Sequence, residues 1–405
     1  MMPWATIKLG EAAIRIGGGT PSREEKSYWG GKLPWFTVAD LEDVDDIQNL
    51  RTSRECITEE GLEHSAAKLI PKGAVVFSSR VVVGKVGIAG NDIATNQDFS
   101  SFVPIDGIDG EFLAYFLIKT KYDLRRHQRG ATIKGVTTKV LEAIDVPRPS
   151  VDDQRRIVAR IKECMERVEE IEELTKDQSK AQCQVLRAAR REFLGFPSGI
   201  PLGWEQRRLD ELASVNYGIS AAISNKEDPK LGPPIVRMAN ISIHGHLDLS
   251  DLRYCPIPKG KEDHFALRPG DLLLNWRSGS AEHVGKTALF KEVGLYTCAS
   301  FILRIRCLDG VSNNRFLRHV LNFMRAEGVF SGQSRMQINH KLNATELSAF
   351  PIRVPPSLDE QGKIANQLDA IETLSDQIRT ELSHKLDEAR DLRESILRKA
   401  FAGGL

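Results

Sequence analysis

Two short stretches of this 405-residue chain concentrate side chains that could bind a polyanion. Lys119–Lys139 and Arg315–Lys341 each carry several Lys and Arg residues against a single acidic residue. Both also contain amide and hydroxyl side chains, in Gln128–Lys134 and Gln333–Asn339. Arg and Lys suit phosphates and guanine edges, whereas Gln and Asn suit adenine. The composition of the two stretches therefore predicts nucleic-acid binding at two places in the chain.

The alternative interpretation of either stretch is an ordinary solvated surface. The formal net charge of the chain is only +1, so the composition as a whole gives no polyanion-binding signature. The argument depends instead on the recurrence of the pattern, because both stretches lie just upstream of a long helical pattern that itself occurs twice.

The two helical patterns begin at Pro149 and Pro356, which are 207 residues apart. Proline disfavours helix in the residue before it, and the Ser that follows stands where an N-cap belongs, with an acidic residue three positions later. Apolar residues then recur at three- and four-residue intervals to about Gly195 and Gly403. Each pattern thus predicts a helix of about 40 residues, roughly 60 Å long at 1.5 Å per residue.

A helix of that length cannot bury a narrow apolar stripe alone and needs a partner helix. The matching length and start signal of the two copies favour pairing within the chain. Two independent surface helices, or coiled coils with other chains, would leave a similar pattern.

The two variable blocks that precede the helices also resemble each other. At an offset of 200 residues, Trp4, Leu9, Glu11, Gly18 and Thr20 match Trp204, Leu209, Glu211, Gly218 and Ser220. Turn residues alternate with apolar runs, which is typical of short strands. The predicted strands are Ala74–Phe77, Val81–Val83, Val86–Ala89, Pro234–Met238, Leu272–Leu274, Thr287–Phe290 and Phe301–Ile305. Phe112–Ile118 and Phe316–Met324 are predicted to be short helices.

The composition argues against several other classes of protein. The six Cys residues show no CxxC and no zinc-ligand spacing, which fits unpaired thiols in a reducing compartment. No apolar run approaches about 18 residues, and the N-terminus has no apolar signal core. A cytoplasmic protein without a membrane span is expected.

Motifs for catalysis within the chain are incomplete. A self-contained adenine methyltransferase would need an Asn/Asp-Pro-Pro-aromatic motif, and Gly232–Ile235 lacks both its ends. Gly17–Gly19 lacks the GxGxxG spacing of a cofactor loop, and Ser280 stands where a P-loop ending in Lys286 and Thr287 requires Gly. The nine His residues are scattered without metal-ligand spacing. We therefore expect no catalytic residues and no metal site.

In the order and doubling of its motifs, nearly the whole chain resembles the DNA-specificity (S) subunit of type I restriction-modification enzymes. The motifs similar to those of the family are Gly17–Ser22, Tyr28–Gly31 and Leu33–Trp35 at the first opening, Trp204–Leu209 at the second, and the Pro-x-x-x-x-Gln-x-x-Ile helix starts Pro149–Ile157 and Pro356–Ile364. The second opening departs from the pattern, because Tyr217–Ala221 replaces the Gly-Gly-Thr-Pro form.

The resemblance implies an α+β fold, with two mixed β/α target-recognition domains in pseudo-twofold arrangement, separated by two long antiparallel coiled-coil helices. The implied segments are 1–148 (target-recognition domain 1), 149–195 (central helix), 196–355 (target-recognition domain 2) and 356–405 (C-terminal helix). Each domain would read one half of a bipartite asymmetric DNA site, and the helices would fix the spacer. Half-sites on one face of B-DNA lie about 34 Å apart per helical turn, a distance that such helices could set.

The resemblance also implies a non-catalytic subunit with no cofactor of its own. It would bind double-stranded DNA and dock two methyltransferase (modification) subunits, which carry S-adenosylmethionine, while the restriction/translocase subunits use ATP and Mg. The alternatives are the specificity subunit of a related bipartite restriction system, which cuts beside its site, and a coiled-coil protein-interaction scaffold.

Candidate DNA contacts come from the basic stretches and from the ends of the strands after Pro71 and Pro269. In the first block they are Arg80, Lys85, Arg129, Thr132 and Lys134, and in the second they are Asn275, Arg277, Arg335, Gln337, Asn339 and Lys341. Arg80 and Arg277 could equally be structural ion-pair partners.

Overall fold

The chain divides into two compact units, and both boundaries between the units fall within long helices. In the computed structural model, unit one consists of Met1–Lys176 with Ser383–Leu405, and unit two is Asp177–Leu382. Each unit contains one variable block and part of each long helix. The residues that the structure describes are 4–126, 135–195, 200–220, 228–330 and 340–404. The division into four segments at residues 149, 196 and 356 follows the sequence repeat and stays a prediction.

Unit one is built on a mixed sheet of five strands with the order β2-β9-β6-β7-β4. A second sheet has the order β5-β3-β8, and β1 pairs with β10. The strands are β1 (Thr6–Lys8), β2 (Ala13–Gly17), β3 (Trp29–Phe36), β4 (Gln48–Leu50), β5 (Glu55–Ile57), β6 (Val75–Ser78), β7 (Val86–Ala89), β8 (Ala94–Thr95), β9 (Phe99–Pro104) and β10 (Asp145–Pro147). The helices are α1 (Leu9–Ala12), α2 (Glu59–Glu63), α3 (Gly110–Arg126), α4 (Thr138–Glu142) and α5 (Val151–Leu194), which continues into unit two.

Unit two repeats this plan. Its main sheet has the order β12-β19-β15-β17, its second sheet is β14-β13-β18, and two further pairs are β11-β21 and β16-β20. The strands are β11 (Glu205–Arg208), β12 (Ala213–Tyr217), β13 (Pro234–Val236), β14 (Arg253–Tyr254), β15 (Leu272–Asn275), β16 (Arg277–Ser278), β17 (Thr287–Leu289), β18 (Thr297–Cys298), β19 (Ile302–Cys307), β20 (His340–Lys341) and β21 (Pro351–Val354). The helices are α6 (Glu262–Phe265), α7 (Asn314–Ala326), α8 (Ala344–Ser348) and α9 (Leu358–Phe401), which continues into unit one.

The core of unit one forms where α3 packs between the main sheet and the long helices. Phe112 and Phe116 of α3 are fully buried, and each contacts the ring of Phe401 at centroid distances of 5.1 and 5.4 Å. Fully burying side chains of this size contributes about 1.5–3 kcal/mol each. In unit two, α7 contributes Phe316 and Leu317 to the corresponding core. The predicted repeat is thus confirmed as a repeat of fold.

Both long helices begin as the sequence predicts. The hydroxyl of Ser150 accepts a hydrogen bond from the Asp153 N–H (3.2 Å), and the hydroxyl of Ser357 accepts one from the Glu360 N–H (3.4 Å). These bonds satisfy N–H groups that the first helical turn cannot pair internally. None of the helices within the described ranges is long and apolar enough to cross a membrane.

The Gln of each Pro-x-x-x-x-Gln motif anchors its helix. The buried amide of Gln154 accepts from the Asp109 N–H (2.8 Å) and donates to the carbonyl of Pro149 (3.0 Å). In unit two, Gln361 accepts from the Asn313 N–H (2.8 Å) and donates to the Pro355 carbonyl (2.9 Å). Each Gln thus joins the start of a long helix to the segment that opens α3 or α7.

The predicted pairing of the two long helices is confirmed within each unit. In unit one, Arg393 of α9 lies 3.2 Å from the Glu172 carboxylate of α5. In unit two, Gln182 donates to the Ser375 carbonyl (2.7 Å), and Arg190 lies 2.9 Å from Glu372. Because the residue number on α9 falls as that on α5 rises, the two helices run antiparallel.

The predicted strand Val81–Val83 is wrong. These residues form the loop between β6 and β7, where Val81 has a φ of +63° and is 67% exposed. The loop is closed by Ser78, whose hydroxyl donates to the Val82 carbonyl and accepts from the Lys85 N–H (2.8 Å). These local bonds replace the ladder that an apolar run would otherwise form.

Candidate nucleic-acid interface

In unit one, a concave surface surrounds the ends of β2 and β6. Its cavity has a volume of about 700 Å³. The lining is mostly polar or cationic and includes Arg15, Ser79, Arg80, Gln97, Thr138 and Lys139. Arg80 and Lys139 are exposed, whereas Arg15 is half-buried and pairs with the Glu142 carboxylate (3.1 Å). Exposed cations beside hydroxyl and amide groups can contact both phosphates and base edges.

Backbone hydrogen bonds build this surface. The N–H of Ser79 donates to the Asp98 carbonyl (2.7 Å), and the N–H of Val136 donates to the Ser79 carbonyl (2.8 Å). Arg80 then forms an antiparallel bridge with Gly135. The exposed Arg80 guanidinium is therefore carried by a fixed backbone, at the edge of one of the predicted basic stretches.

Unit two has the same backbone arrangement. The Trp276 N–H donates to the Phe301 carbonyl (3.2 Å), and the Leu342 N–H donates to the Trp276 carbonyl (2.8 Å). Arg277 pairs with Lys341 in the β16–β20 ladder, as Arg80 pairs with Gly135. Arg80 and Arg277 thus occupy corresponding positions. Among the described residues no carboxylate pairs with either of them, so their interpretation as structural ion-pair partners gains no support.

Glycines at corresponding positions allow another segment of backbone to approach closely beside each surface. A Cβ atom at Gly18 would lie 1.9 Å from the Asn96 carbonyl oxygen, and one at Gly218 would lie 2.3 Å from that of Cys298. Contacts that short do not occur in folded proteins, so both positions require Gly. This Gly is shared by the two openings, although the residues around it differ.

Lys85 serves the fold of unit one. Its buried ammonium donates to the carbonyls of Val38 (2.9 Å) and Leu41 (2.5 Å), at the end of the 3-10 turn Val38–Asp40. In unit two, Lys286 makes the corresponding bonds to the carbonyls at positions 238 and 241. Burial and the charge of the nearby Arg325 lower the pKa of Lys286. Because the Lys85 ammonium is enclosed by the protein, we leave this residue out of the proposed interface.

Asn275 has a similar internal role. Its side chain is buried, and its amide donates to the His283 carbonyl (2.9 Å), which closes the loop after β15. The corresponding Ser78 closes the loop after β6 in unit one. Asn275 is accordingly also left out of the proposed interface.

The remaining predicted contacts fall outside what the structure describes. Arg129, Thr132, Lys134, Arg335, Gln337 and Asn339 lie outside the described residues. For Lys341 the structure describes the backbone, which pairs in β20, and not the side chain. These residues stay predictions.

Sequence reasoning missed several residues of the two surfaces. Arg15 and Gln97 line the cavity of unit one, and Tyr217 and Phe301 flank Trp276 in unit two. The departure of the second opening from the Gly-Gly-Thr-Pro form was the available signal for Tyr217. Phe301 carried no signal, because an aromatic residue at the start of a predicted strand is usually part of a core.

A cluster of charged groups lies buried in unit two, between α7 and the long helices. The His319 ring nitrogens, the Asp369 carboxylate and the Glu372 carboxylate are close enough to hold a metal ion, within 4.8 Å of one another. However, Glu372 already accepts from Arg190 (2.9 Å) and Arg318 (2.5 Å). Two guanidinium groups at the same place repel a divalent cation, so the arrangement is a salt-bridge network.

Burial governs the protonation of this network. It lowers the pKa of Arg190 to about 10, even though the Glu372 charge opposes the shift. It also lowers the pKa of His319, which favours the neutral ring. Burial alone would raise the pKa of Asp369, but hydrogen bonds from His319 and Arg315 outweigh it and hold that pKa well below its ordinary value.

The chain contains two copies of one module. Each copy is joined to a long helix, and the two copies carry different side chains on the same surface. This two-module architecture defines the class of protein. The model of the type I restriction modification DNA specificity domain matches residues 1–179 and 201–388. The chain therefore belongs to the type I restriction-modification DNA specificity family.

Individual relatives agree with this assignment. The type I restriction enzyme MjaIX specificity subunit of Methanocaldococcus jannaschii is 30% identical over 232 residues, which cover 54% of this chain and 53% of that protein. The chain thus matches about half the length of that relative. The StySPI specificity subunit of Salmonella potsdam is 24% identical, over 99% of this chain and 89% of that protein.

A solved structure has the same fold over the full length of both chains. It belongs to a study of complex assembly and conformational transition of the type I R-M system. It shares 22% identity with this chain, with a TM-score of 0.78 and 100% coverage of each chain. At this identity the likeness concerns the fold alone.

Proposed function

We propose that this chain is the non-catalytic DNA sequence-recognition subunit of a type I restriction-modification complex. Each module reads one half of a bipartite asymmetric site in double-stranded DNA. The observation that carries the proposal is the correspondence of Arg80 and Arg277, which stand on the same backbone framework in two modules whose surrounding side chains differ. A common framework with different surfaces is what two dissimilar half-sites require.

The chemistry of the two surfaces supports contact with DNA. Both lie beside stretches rich in Arg, Lys, Gln and Asn, and both offer an exposed or half-exposed guanidinium at a strand end. Phosphate contacts by such cations supply affinity, while side chains in the groove supply discrimination. The proposed contacts are Arg80 and Arg277, together with Arg129, Thr132, Lys134, Arg335, Gln337, Asn339 and Lys341 from the adjoining basic stretches.

The long helices fix the number of base pairs between the half-sites. Each is a continuous helix of 44 residues, and the two are joined by polar contacts in both units. Paired helices of this length resist bending and compression better than a flexible linker. The spacing of the two readers is then a property of helix length.

The helix pair also docks two modification subunits. Exposed apolar residues recur at the repeat offset of 207, as Ile171 and Ile378 and as Val185 and Leu392. Exposed apolar side chains that recur at matching places fit two copies of one partner. S-adenosylmethionine belongs to those modification subunits, and ATP and Mg belong to the restriction subunits.

Mapping methylated adenines across the genome, in cells with and without this chain, tests the proposal. Loss of methylation at one bipartite motif when the chain is removed is the expected result. An unchanged methylation map in cells that express the modification subunits would refute it and favour a protein-interaction scaffold. DNA binding by the assembled complex should also weaken steeply with salt, because phosphate contacts release counterions.

A further inference from the structure

The surface of unit two that corresponds to the cavity in unit one is occupied by aromatic side chains. Tyr217 and Trp276 contact edge to face, with ring centroids 5.5 Å apart, and the rings of Trp276 and Phe301 are 6.3 Å apart. The Arg277 guanidinium lies 5.5 Å from the centre of the Phe301 ring. We name Tyr217, Trp276, Phe301 and Arg277 the aromatic cluster.

The first module has small or polar residues at the corresponding places. Gly17 ends β2 as Tyr217 ends β12, so these two residues are equivalent. The shared backbone bonds make Ser79 equivalent to Trp276 and Asp98 equivalent to Phe301. One framework thus holds a polar hollow in unit one and a packed aromatic surface in unit two. Packing requirements of the framework do not explain the rings, because the first module folds without them.

The rings are held rigidly and yet remain accessible. The Trp276 indole donates to the Ser300 carbonyl (2.6 Å), and the Tyr217 hydroxyl accepts from the Ala344 N–H (3.0 Å). Even so, Tyr217 is 42% exposed and Phe301 is 37% exposed. Large apolar side chains fixed at a surface beside a cation are typical of a binding site.

The geometry favours contact with base edges over stacking with a base pulled out of the duplex. A stacked base needs a free ring face. The Arg277 guanidinium lies over one face of Phe301, and the edge-to-face contact between Tyr217 and Trp276 takes up one face of one of these two rings. What the cluster presents is apolar ring surface. In the major groove the apolar group available to such a surface is the C5-methyl group of thymine.

We propose that the aromatic cluster is a specificity-determining surface of the second module, which selects thymine through its C5-methyl group. Arg277 contacts the neighbouring phosphate or guanine and holds the rings against the groove. This inference rests on the proposed function, and it assigns the two modules different means of recognition. The first module reads its half-site mainly through polar groups.

Substitution of thymine by deoxyuridine tests the inference, since it removes only the methyl group and preserves base pairing. The complex of the full chain with its modification subunits is titrated with duplexes that carry the mapped site, in which each thymine in turn is replaced. At one or more positions of a single half-site, the substitution should weaken binding about three- to fivefold, as expected for losing one buried methyl group.

The Phe301→Ala and Tyr217→Ala variants then locate the contact. In these variants deoxyuridine should no longer weaken binding at that half-site, so the ratio of the two affinities should be about one. The other half-site should still be recognised. Asp98→Ala changes the corresponding position of the first module and serves as the matched control, which should retain the penalty in full.

Two results would overturn the inference. One is specific binding by the wild-type complex that no deoxyuridine substitution weakens, which requires no variant at all. The other is a penalty that persists in both aromatic variants. A wild-type complex with no preference for any DNA site would instead refute the proposed function itself, so the two failures are distinguishable.

Discussion

The His319 Nε2 atom lies 2.7 Å from the Asp369 Oδ1 atom, so that a buried ring of α7 meets a carboxylate of α9 within unit two. Arg190 Nη2 lies 3.3 Å from the other ring nitrogen. Because a carboxylate can only accept and a guanidinium can only donate, we assign the neutral tautomer in which Nε2 donates to Asp369 and Nδ1 accepts from Arg190. Arg318 Nη2 also lies 3.3 Å from Nε2. The ring therefore links α5, α7 and α9 only while its Nδ1 atom carries no proton.

Unit two should lose stability on acidification. Because the folded state lowers the pKa of His319, its contribution is complete above the ordinary pKa of about 6.5 and is lost as the pH falls below that value. A second loss of stability follows below about pH 4. The folded state also lowers the pKa of Asp369, so the contribution of this carboxylate is lost as the pH falls. Protonation would place an imidazolium beside Arg190 and Arg318, with Asp369 and Glu372 as the facing carboxylates.

Hydrogen exchange of the α7 amides between pH 5 and 7 measures this effect, after correction for the intrinsic exchange rate. In His319→Gln the pH dependence of α7 protection should flatten, whatever the absolute loss of stability. The exposed His384 gives the control His384→Gln, which should leave the wild-type slope intact. Equal slopes for wild type and His319→Gln would show that His319 does not titrate as described.

The buried network in unit two has a mostly apolar counterpart in unit one. With Gln154 aligned on Gln361, Met165 and Leu397 fill the positions of Glu372 and Arg190. With their bonded partners Asp109 and Asn313 aligned, Ala114 and Tyr115 fill the positions of Arg318 and His319, and the Tyr115 hydroxyl donates to Asp46 (2.9 Å). Removing one partner of a buried ion pair costs about 3–5 kcal/mol, whereas replacing the whole set by packed apolar residues can be neutral. Glu372→Met should therefore destabilise unit two by about 3–5 kcal/mol.

The fourfold variant Arg318→Ala, His319→Tyr, Glu372→Met and Arg190→Leu should recover most of that loss, as measured by urea unfolding. If the fourfold variant were less stable than Glu372→Met alone, the apolar packing of unit one would not be transferable. Such an outcome would assign the network a positive contribution to stability.

The Gln of each helix start should be indispensable to its unit. Gln361→Met keeps the length of the side chain but leaves the Asn313 N–H and the Pro355 carbonyl without their buried partner. Each unsatisfied group costs about 1–3 kcal/mol, so a loss of roughly 2–6 kcal/mol is expected in urea unfolding. The exposed Gln367 supplies the control Gln367→Met, which should change stability by less than about 0.5 kcal/mol. Similar effects of the two substitutions would contradict the anchoring role.

Arg80→Ala and Arg277→Ala should each impair one half-site only. A guanidinium that reads a base contributes about 1–3 kcal/mol of discrimination, whereas one that contacts phosphate alters the salt dependence by about one unit of slope. Salt titrations of the assembled complex on sites mutated in either half separate these roles. Lys85→Met is the contrasting variant, because it should lower the stability of unit one. Unchanged recognition of both half-sites in both Arg variants would remove the pair from the interface.

Lengthening both helices by seven residues should lengthen the preferred spacer. Insertion after Lys176 in α5 and after Leu382 in α9 adds about 10 Å of helix, equivalent to roughly three base pairs at 3.4 Å per step. Insertion in only one helix disrupts the pairing and should abolish specific methylation. Methylated motifs mapped in cells with the double insertion report the spacer. A motif with the original spacer would refute the role of the helices.

Much of the architecture was determined by the sequence. The Ser caps, the uninterrupted helical patterns and the recurrence at 207 residues predicted both long helices to within a few residues of their ends, because these signals are local and act through the backbone. The repeat predicted two modules of one fold. The strand prediction failed at Val81–Val83, where hydrogen bonds of Ser78 close a loop that hydrophobicity alone does not reveal.

The sites were decided by tertiary structure. Lys85 and Asn275 are residue types that commonly contact DNA, yet the fold buries both side chains. Lys85 binds a backbone carbonyl that is distant in sequence, and Asn275 binds one across a loop. Tyr217 and Phe301 are separated by most of a module and flank Trp276 only because β12, β15 and β19 are neighbours in one sheet. Local sequence fixes where helices start, through bonds spanning three or four residues. Exposure and proximity depend on the pairing of distant strands, which no short stretch of sequence encodes.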